Sequence, residues 1–543
     1  MKTKHYPPGM YYLVFTEFWE RFGYYLMIGI FFLYMTKGEE TGAWGWENDR
    51  ASDIYGTFIA LAYLTPFMGG LLADIKLGYR RSVIIGGLLM GIGYCLLAIP
   101  SLWAFYSALL IMVIGNGFFK PNISTLLGNL FNSPEYKAQK DTGYNLFYMG
   151  INLGAFLCNF VAAIMRNKIG WHGAFLTAGL GMFIGVITFV AGSRHYRHVD
   201  VPRIPTPEDQ GMLHRLGAVI LSGLAFAVIG WLIPGNLMGS DSPDAFFMFC
   251  IPVIVFYSRI YFKAGPAERR PLSTMFTIFL VVILFWAIFK QNGTALTTYA
   301  EQYTNRNIPE SMAPVANRLG FAETQKYAKD SVWAKDAQFR KLKHNQSPYK
   351  IWDYPDYFKN DANASDYPTG ASLQLWNTEI FQSINPFFVV LFTPLIIVFF
   401  NWLRKKGKEP TSATKIAYGL FISALSTLVM VFAVYYSSNG HVKSDAVWLI
   451  TSYAVITIGE LCLSPMGLSM VSKLAPLKYA ALMMGGWQLA TSIGNKFSGV
   501  LAKNWDVFTN KALYFWLNFG LLMLAFFILI VLLKKLNRAF TTD

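Results

Sequence analysis

The chain is short of charged residues and of cysteines. Only 14% of its 543 residues are charged, whereas a soluble domain carries about 25%. This shortage excludes a soluble enzyme, because too few charged side chains remain to cover a surface that faces water. The four cysteines, Cys95, Cys158, Cys250 and Cys462, lie inside apolar runs without metal-ligand spacing. That placement excludes a secreted disulfide scaffold and favours apolar packing.

The sequence is instead rich in long apolar runs. Hydrophobic residues make up 54% of the chain, and its mean hydropathy is +0.36. Since a membrane-spanning helix needs about 20 mostly apolar residues, the runs predict about fourteen transmembrane helices. They lie near 11–36, 52–73, 81–99, 103–131, 141–166, 172–193, 212–233, 245–262, 272–299, 374–402, 412–437, 446–474, 478–504 and 510–536. The runs are continuous and longer than the alternating strands of about ten residues in a membrane β-barrel, so we expect helices.

The basic residues are unevenly distributed between the two ends of these runs. A net charge of +15 would also suit nucleic-acid binding, but here the basic residues form short clusters between apolar runs. Clusters such as Arg80-Arg81 and the run 404–408 fall on one side, which indicates a cytoplasmic face that also holds both termini. The opposite short connections contain few basic residues: Lys37, Arg50, Arg166, Lys168, Lys443, Lys503 and Lys511. We therefore expect a membrane protein that contacts lipid and does not bind nucleic acid.

One polar segment, 301–372, interrupts the series of spans. It contains a charged, helix-like stretch from Ala313 to Lys343, followed by a run rich in aromatic residues, Asp and Pro. On the orientation above it lies outside the cytoplasm, because long loops cross the membrane regardless of their charge. We expect a periplasmic cap, with gating or partner binding as an alternative function of the segment.

Charged residues recur inside four of the predicted spans. If 201–266 is an inserted two-helix hairpin, the spans form two six-helix bundles, 1–200 and 267–543. The charged spans then open each of four three-helix units. Transporters built from such nested repeats place their site at the midplane, where the repeats meet.

The first of these spans carries its charges on one face. Glu17, Glu20, Arg21 and Tyr24 are three or four residues apart, so they share one side of a helix. Lys120, Lys290 and Glu460 follow in later spans and give a balanced set of three cations and three anions. Ionisable groups at bilayer depth are costly, which makes each one a functional candidate. The alternatives are structural ion pairs or side chains that reach to the interface, although a packed apolar set often stabilises as well as buried charges do.

Several motifs resemble the proton-dependent oligopeptide transporter (POT/PTR) family of the major facilitator superfamily. They are Glu17-x-x-Glu20-Arg21-Phe22-x-Tyr24-Tyr25, Pro66-x-x-Gly69-Gly70-x-x-Ala73-Asp74 with Gly78, Arg80 and Arg81, Phe147-Tyr148-x-x-Ile151-Asn152-x-Gly154, Glu460 with Ser464-Pro465, and Met483-Met484-Gly485-x-Trp487. The resemblance covers the chain except 301–372. The inserted hairpin resembles that of the prokaryotic members, so the likeness implies a bacterial inner-membrane protein.

The resemblance implies a fold, an activity and a site. It implies an all-α major facilitator fold of two six-helix bundles plus the inserted hairpin. The implied activity is proton-driven import of di- and tripeptides by alternating access, without cofactor or metal and as a monomer. Arg21 and Lys120 would hold the peptide carboxylate, and Glu460, Asn152 and Asn385 would meet its amino end. The side-chain pockets would be formed by Tyr24, Tyr25, Tyr63, Trp286 and Trp487.

The chain departs from the family pattern at two positions. An arginine is common where this chain has Ile28, and an acidic residue usually occupies the position of Lys290. In relatives those two groups are thought to pair when the outer gate closes, so a different contact must close it here. We expect Lys290 to pair with Glu460. An extra cation at this position would also suit more acidic substrates.

Proton coupling requires a group whose protonation changes what its neighbour does. All seven histidines fall in loops or at span ends, so the candidates are Glu17 and Glu20. Burial favours their neutral form and Arg21 favours the ionised form, so a substrate carboxylate that binds Arg21 promotes protonation. On the cytoplasmic side, Asp74 beside Arg80 and Arg81 is expected to form a latch that breaks when the bundles move.

Three other functions remain as alternatives. The same fold could carry nitrate, an amino-acid conjugate or another organic anion, although Glu460 argues for an amine. A membrane-embedded enzyme would need a metal-binding or nucleophilic cluster, which the sequence does not suggest. A channel is less consistent with paired opposite charges at four repeat positions.

Overall fold

Fourteen long helices make up most of the chain. In the computed structural model, the described residues are 6–136, 140–200, 207–238, 240–345, 347–475 and 480–538. The first six helices are α1 Pro8–Thr36, α2 Asn48–Leu72, α3 Tyr79–Leu97, α4 Leu102–Leu130, α5 Lys140–Lys168 and α6 Trp171–Gly192. The next group is α7 Pro207–Leu232, α8 Asp241–Lys263, α9 Pro266–Phe289, and the short α10 Ala295–Gln302 and α11 Ala313–Leu319. The last five are α12 Ile384–Lys405, α13 Ser412–Tyr436, α14 Ala446–Leu474, α15 Ala480–Lys503 and α16 Lys511–Arg538.

The helices have the length and polarity expected of membrane spans. Among the described residues, 11 helices are long and apolar enough to cross a membrane. The three long helices outside that set are α1, α2 and α15, and both α1 and α15 bury charged side chains. The predicted helical membrane fold is therefore confirmed, and the fourteen expected spans are consistent with it.

The predicted span 272–299 is interrupted. A 3-10 turn at Lys290–Gly293 separates α9 from α10, so Lys290 lies at a break in the helix. At Gly293 a Cβ atom would overlap the hydroxyl of Tyr55 on α2, so a larger residue here would force the Tyr55 side chain to move. A second close approach joins α2 and α15, where a Cβ on Gly56 would lie 2.9 Å from the Cα of Gly499.

The buried apolar side chains form separate cores in the two halves of the chain. The first core runs from Met10 to Tyr196, whereas a second draws on Leu216 and on 264–536. The hairpin α7–α8 packs against both halves. Ser242 on α8 bonds Thr57 of α2 at 2.8 Å and accepts from Lys496 of α15 at 2.8 Å. The domain boundaries at 200 and 267 remain a prediction.

The polar insertion contains several short, paired strands. Its antiparallel pairs are β2 (Ala322–Lys326) with β7 (Ser372–Trp376), β3 (Asp330–Trp333) with β6 (Lys350–Asp353), and β4 (Lys343–His344) with β5 (Ser347–Pro348). The remaining pair, β1 (Thr304–Asn305) with β8 (Ser444–Asp445), is parallel. We call the covering segment 303–383 the cap, and the end of the bundles that it covers the capped face.

One expectation for the insertion was wrong. The helix predicted over 313–343 ends at Leu319, because Gly320 adopts a left-handed conformation with φ of 78° and terminates it. The chain then turns into strands, since Val332 and Trp333 favour extended structure more than helix. The expected boundary at 372 remains a prediction; it falls at the start of β7, which pairs with β2, and α12 begins at Ile384.

Candidate functional site

Four of the six charged side chains from the predicted spans converge around Tyr63 on α2, and the other two, Glu17 and Glu20, adjoin Arg21. The ammonium of Lys120 on α4 lies 4.3 Å from the centroid of the Tyr63 ring, and that of Lys290 lies 5.4 Å from it. Tyr63 also interacts electrostatically with Arg21 on α1 and with Glu460 on α14. Helices from both halves of the chain therefore contribute to one site.

Arg21 is enclosed by acidic neighbours on its own helix. Its guanidinium donates two hydrogen bonds to the carboxylate of Glu20, and its Nε lies 3.6 Å from Oε1 of Glu17. All three side chains are buried. Lys120 lies within electrostatic range of the two glutamates, so the cluster on α1 continues to α4. Arg21 is thus already saturated with carboxylate partners, whereas Lys120 is partly exposed.

Glu460 lies on the C-terminal half of the chain and is bound by a neighbour from the same half. Asn385 at the start of α12 donates to its Oε2 at 3.2 Å and to Oγ1 of Thr457 at 2.8 Å. This geometry brings together Glu460 and Asn385 as the sequence predicted. Asn152 on α5 instead donates to the backbone oxygen of Tyr148 at 2.9 Å. Tyr148, which sequence reasoning did not select, interacts electrostatically with Glu460.

Lys290 and Glu460 do not touch. Lys290 lies within electrostatic range of Glu460, but neither residue forms an ion pair with the other in the described part of the chain. Instead, the Lys290 ammonium lies near two aromatic rings. Its Nζ atom is 5.4 Å from the ring centroid of Trp286 and 5.6 Å from the ring centroid of Phe289. The expected contact is therefore absent from this conformation.

The predicted aromatic side chains divide into two groups. Tyr24 and Tyr25 flank Arg21, whose Cζ lies 4.9 Å and 5.8 Å from their ring centroids. Trp286 lies beside Lys290, and its buried indole N–H has no hydrogen-bond partner among the described residues. Trp487 is buried away from the cations, with its ring 6.3 Å from that of Phe279 and its edge against Gly467.

The predicted cytoplasmic latch is only partly visible. The side chain of Asp74 lies outside the described residues, so its partner is not assigned. Arg80 donates to Oγ of Ser193 after α6, and its backbone N–H donates to Asp200 at 3.3 Å. Arg81 is exposed. Arg80 thus connects parts of the same half of the chain, and the latch remains a prediction.

Sequence reasoning missed a set of ion pairs at the capped face. Lys37, just after α1, lies 2.9 Å from Glu301 of α10 and 3.0 Å from Glu323 of the cap. Arg166 in the last turn of α5 lies 3.0 Å from Glu323 and 2.7 Å from Glu379. These contacts join the N-terminal half to the C-terminal half and to the cap.

Glu323 is the cap residue that both cations share. Burial alone would raise the pKa of Glu323, but Lys37 and Arg166 hold that pKa well below its usual range. The carboxylate therefore stays ionised and keeps both contacts over a wide pH range. Further along the same face, Lys496 of α15 lies 2.5 Å from Asp53 of α2.

A signal for these pairs was present in the sequence. Lys37 and Arg166 are among the few basic residues that oppose the overall charge bias of the loops. The bias predicts the orientation of the chain but does not explain these exceptions. A basic residue that opposes the bias needs a local carboxylate, and both have one.

The opposite, uncapped end has an opening between helices. A cavity of about 460 Å³ lies between α5, α12 and α14. It extends from Tyr148 and Leu461, which follows Glu460, to Arg404, Glu409 and Lys415 near the uncapped ends of α12 and α13. The described ion pairs between the two halves lie toward the capped face, so the halves are joined there.

Metal chemistry finds no support in the described residues. They contain no group of three or more His, Cys, Asp or Glu side chains that could hold a metal ion. The four cysteines are free thiols.

A bundle of membrane-spanning helices around a two-sided charged site defines a polytopic membrane transporter. The chain matches the model of the POT family (PTR2) over residues 80–315 and 372–517. It belongs to the POT family, which confirms the predicted membership and the transporter class over the enzyme alternative.

Relatives and solved structures agree with this assignment. An uncharacterized transporter YclF of Bacillus subtilis is 29% identical over 506 residues, with 92% of this chain and 88% of that protein covered. A di-/tripeptide transporter of Lactococcus lactis subsp. cremoris is 26% identical over 541 residues, with 97% of this chain and 95% of that protein covered. The crystal structure of a peptide transporter POT in complex with sulfate superposes on this chain with a TM-score of 0.76 at 28% identity. The superposition covers 98% of this chain and 96% of that chain. The predicted major facilitator fold is thereby confirmed.

Proposed function

We propose that the protein imports di- and tripeptides together with protons across the bacterial inner membrane, by alternating access and as a monomer. The observation that carries the proposal is the convergence of Lys120, Lys290, Arg21 and Glu460 on Tyr63 from both halves of the chain. Similarity to a di-/tripeptide transporter and to a solved peptide transporter supports it. Protons serve as the coupling ion, and no other cofactor is required.

A peptide zwitterion matches the distribution of charge in this site. Lys120 is the accessible cation of the N-terminal half and takes the peptide carboxylate first, because Arg21 is buried against Glu20. Glu460, oriented by Asn385, takes the amino end, with Asn152 near it on α5. A ligand bound at both ends contacts both halves, so its binding energy favours a closed site.

The aromatic side chains form the walls for variable peptide side chains. Tyr24, Tyr25 and Tyr63 lie on the N-terminal half, and Trp286 lies on the C-terminal half beside Lys290. Aromatic rings offer apolar surface without demanding one shape, which suits cargo of different side chains. Trp487 contributes from a second layer, since it packs on Phe279.

Proton coupling follows from competition for Arg21. In the described state the guanidinium binds Glu20 and approaches Glu17. When a substrate carboxylate takes Arg21, the glutamate loses its counter-charge in a buried site and takes up a proton more readily. The two binding events then favour each other, with a coupling of about 1–3 kcal/mol.

Alternating access requires that one face be closed at a time. We assign the capped face to the periplasm, which places both termini in the cytoplasm in line with the basic loops. The ion pairs of Lys37 and Arg166 hold that face closed in the described conformation, in place of the pair that Ile28 and Lys290 cannot form. The bundles 1–200 and 267–543 would move against each other, with Asp74, Arg80 and Arg81 as the latch on the other side.

Substrate competition tests the proposal against its alternative. The expected result is that di- and tripeptides compete with labelled dipeptide uptake, whereas nitrate and simple organic anions do not. Lys120 and Lys290 would suit an anion carrier, but Glu460 in contact with Asn385 provides a partner for an amine. Competition by nitrate alone would favour the anion carrier and contradict the peptide proposal.

A further inference from the structure

Lys120 and Lys290 place two ammonium groups near one aromatic ring from opposite halves of the chain. Their Nζ atoms lie 4.3 Å and 5.4 Å from the centroid of the Tyr63 ring. The two ammonium groups are therefore separated by no more than the sum of those distances. Within the part of the chain that the structure describes, neither forms an ion pair with a carboxylate.

The other cation of the site is arranged differently. Arg21 is buried and bound by Glu20, with Glu17 nearby. Lys120 and Lys290 are both partly exposed, so their ammonium groups remain accessible to a ligand. The positive charge of the site that has no ion-pair partner therefore lies on Lys120 and Lys290, where the two halves of the chain face each other.

Two like charges in a site of reduced dielectric repel each other. An aromatic face offsets part of this repulsion, since the negative face of the ring attracts a cation. An anion between the two ammonium groups offsets it more completely, because hydrogen bonds to charged groups contribute more than neutral ones. Glu460 is in electrostatic range of Lys290 but is already bound by Asn385.

We propose that Lys120 and Lys290 form a two-lysine subsite that makes the transporter prefer peptides with an acidic side chain. The proposal rests on the proposed peptide transport. The terminal carboxylate binds Lys120, the side-chain carboxylate binds Lys290, and the Tyr63 ring lies near both ammonium groups. An acidic peptide then joins both halves through its carboxylates as well as through its amino end. Lys290 is the specificity-determining residue, because it is the cation that the C-terminal half supplies.

Matched peptides test this preference without a proton gradient. Purified protein in liposomes at one fixed pH exchanges labelled Ala-Gln against unlabelled Ala-Glu or Ala-Gln, which differ in charge but hardly in size. We expect Ala-Glu to compete about tenfold more strongly, as one charged hydrogen bond predicts. Lys290→Gln should bring the two peptides to equal potency, and Lys290→Arg should retain the preference. Lys263→Gln, at an exposed lysine at the end of α8, is the matched control and should leave the ratio unchanged.

The outcomes separate the inference from the function on which it rests. Equal competition in the wild-type protein overturns the subsite, and this result needs no variant. A preference that persists in Lys290→Gln also overturns it, and indicates that Lys290 only balances Glu460. If neither peptide exchanges in the wild-type protein, the proposed function itself is wrong. If Lys290→Gln is not recovered as folded protein, Lys290→Met and thermal stabilisation by the two peptides provide the same comparison.

Discussion

Arg166 and Glu379 form an ion pair of 2.7 Å between the last turn of α5 and the segment that precedes α12. The Arg166 side chain is 8% exposed and that of Glu379 is 0% exposed. Removing one member of a buried pair leaves the other charge uncompensated, at a cost of about 3–5 kcal/mol. The pair therefore favours the conformation in which the capped face is closed.

Removing the positive charge of Arg166 should open the capped face. We expect Arg166→Gln to shift the conformational equilibrium toward opening there, because Glu379 loses its buried partner. Spin labels at Lys168 and Val507, on exposed positions of the two halves, report the separation by electron paramagnetic resonance. The distance distribution should gain a longer component.

The control for this experiment lies in the cap. Arg340 pairs with Asp336 at 2.7 Å within the cap, and its side chain is 54% exposed. Surface pairs contribute about 0–1 kcal/mol, so Arg340→Gln should leave the distances unchanged. Identical distributions for wild type and Arg166→Gln would show that the pair does not hold this face closed.

Glu323 should stabilise the fold in a pH-dependent way. Burial would raise its pKa, but Lys37 and Arg166 hold that pKa well below the usual range. A depressed carboxylate pKa contributes stability above the unfolded-state value of about 4.3, and that stability is lost as pH falls through the folded-state pKa. Glu323→Gln should therefore lower the unfolding temperature at pH 7 and at pH 5. The difference in unfolding temperature between the wild-type protein and Glu323→Gln should become smaller only at more acidic pH.

Thermal unfolding in detergent from pH 3 to pH 8 measures this effect. The exposed cap residue Glu310 provides the control, and Glu310→Gln should follow the wild-type curve. If Glu323→Gln is as stable as the wild-type protein at pH 7, then the contacts of Glu323 do not stabilise the fold.

Glu20 should couple transport to protons. Glu20→Gln cannot exchange a proton, yet its amide still offers an acceptor to Arg21. We expect this variant to keep counterflow exchange of peptide and to lose accumulation driven by a pH gradient. Both activities are measured in the same proteoliposomes, and unimpaired accumulation would count against the coupling mechanism.

Lys290 and Glu460 should be coupled even though they do not touch in the described state. Their electrostatic interaction and their position on facing helices lead us to expect a contact in another state of the cycle. In a double-mutant cycle of uptake rates with Lys290→Ala and Glu460→Ala, the coupling should fall in the range of about 0.5–3 kcal/mol. Additive effects of the two substitutions would exclude the pairing.

The sequence predicted the helices and the central charges because both follow from the membrane. Long apolar runs must be helical in lipid, and charged residues inside them must meet other polar groups. The bounds of α1, α13 and α14 accordingly lie close to the predicted runs. The same reason selected Glu17, Glu20, Arg21, Lys120, Lys290 and Glu460. The structure brings the last four together around Tyr63 and places the two glutamates against Arg21.

The cap and the capped-face ion pairs could not be predicted in this way. Outside the membrane a polar segment has no single dominant constraint, so the charged stretch after Ala313 resembles a helix although Gly320 ends it. Ion pairs such as Lys37 with Glu323 join residues far apart in sequence, and no local spacing reveals them. At the break Lys290–Gly293, Gly293 packs against Tyr55 from the other half, an approach that no local pattern reveals.

The most direct test of the central claim is dipeptide uptake by the purified protein in proteoliposomes, with and without an inward proton gradient. If the six charged groups form one site for peptide and proton, the gradient drives accumulation, and a protonophore abolishes that accumulation while leaving exchange intact. Accumulation that is indifferent to the gradient, or peptide that is not transported at all, would contradict it.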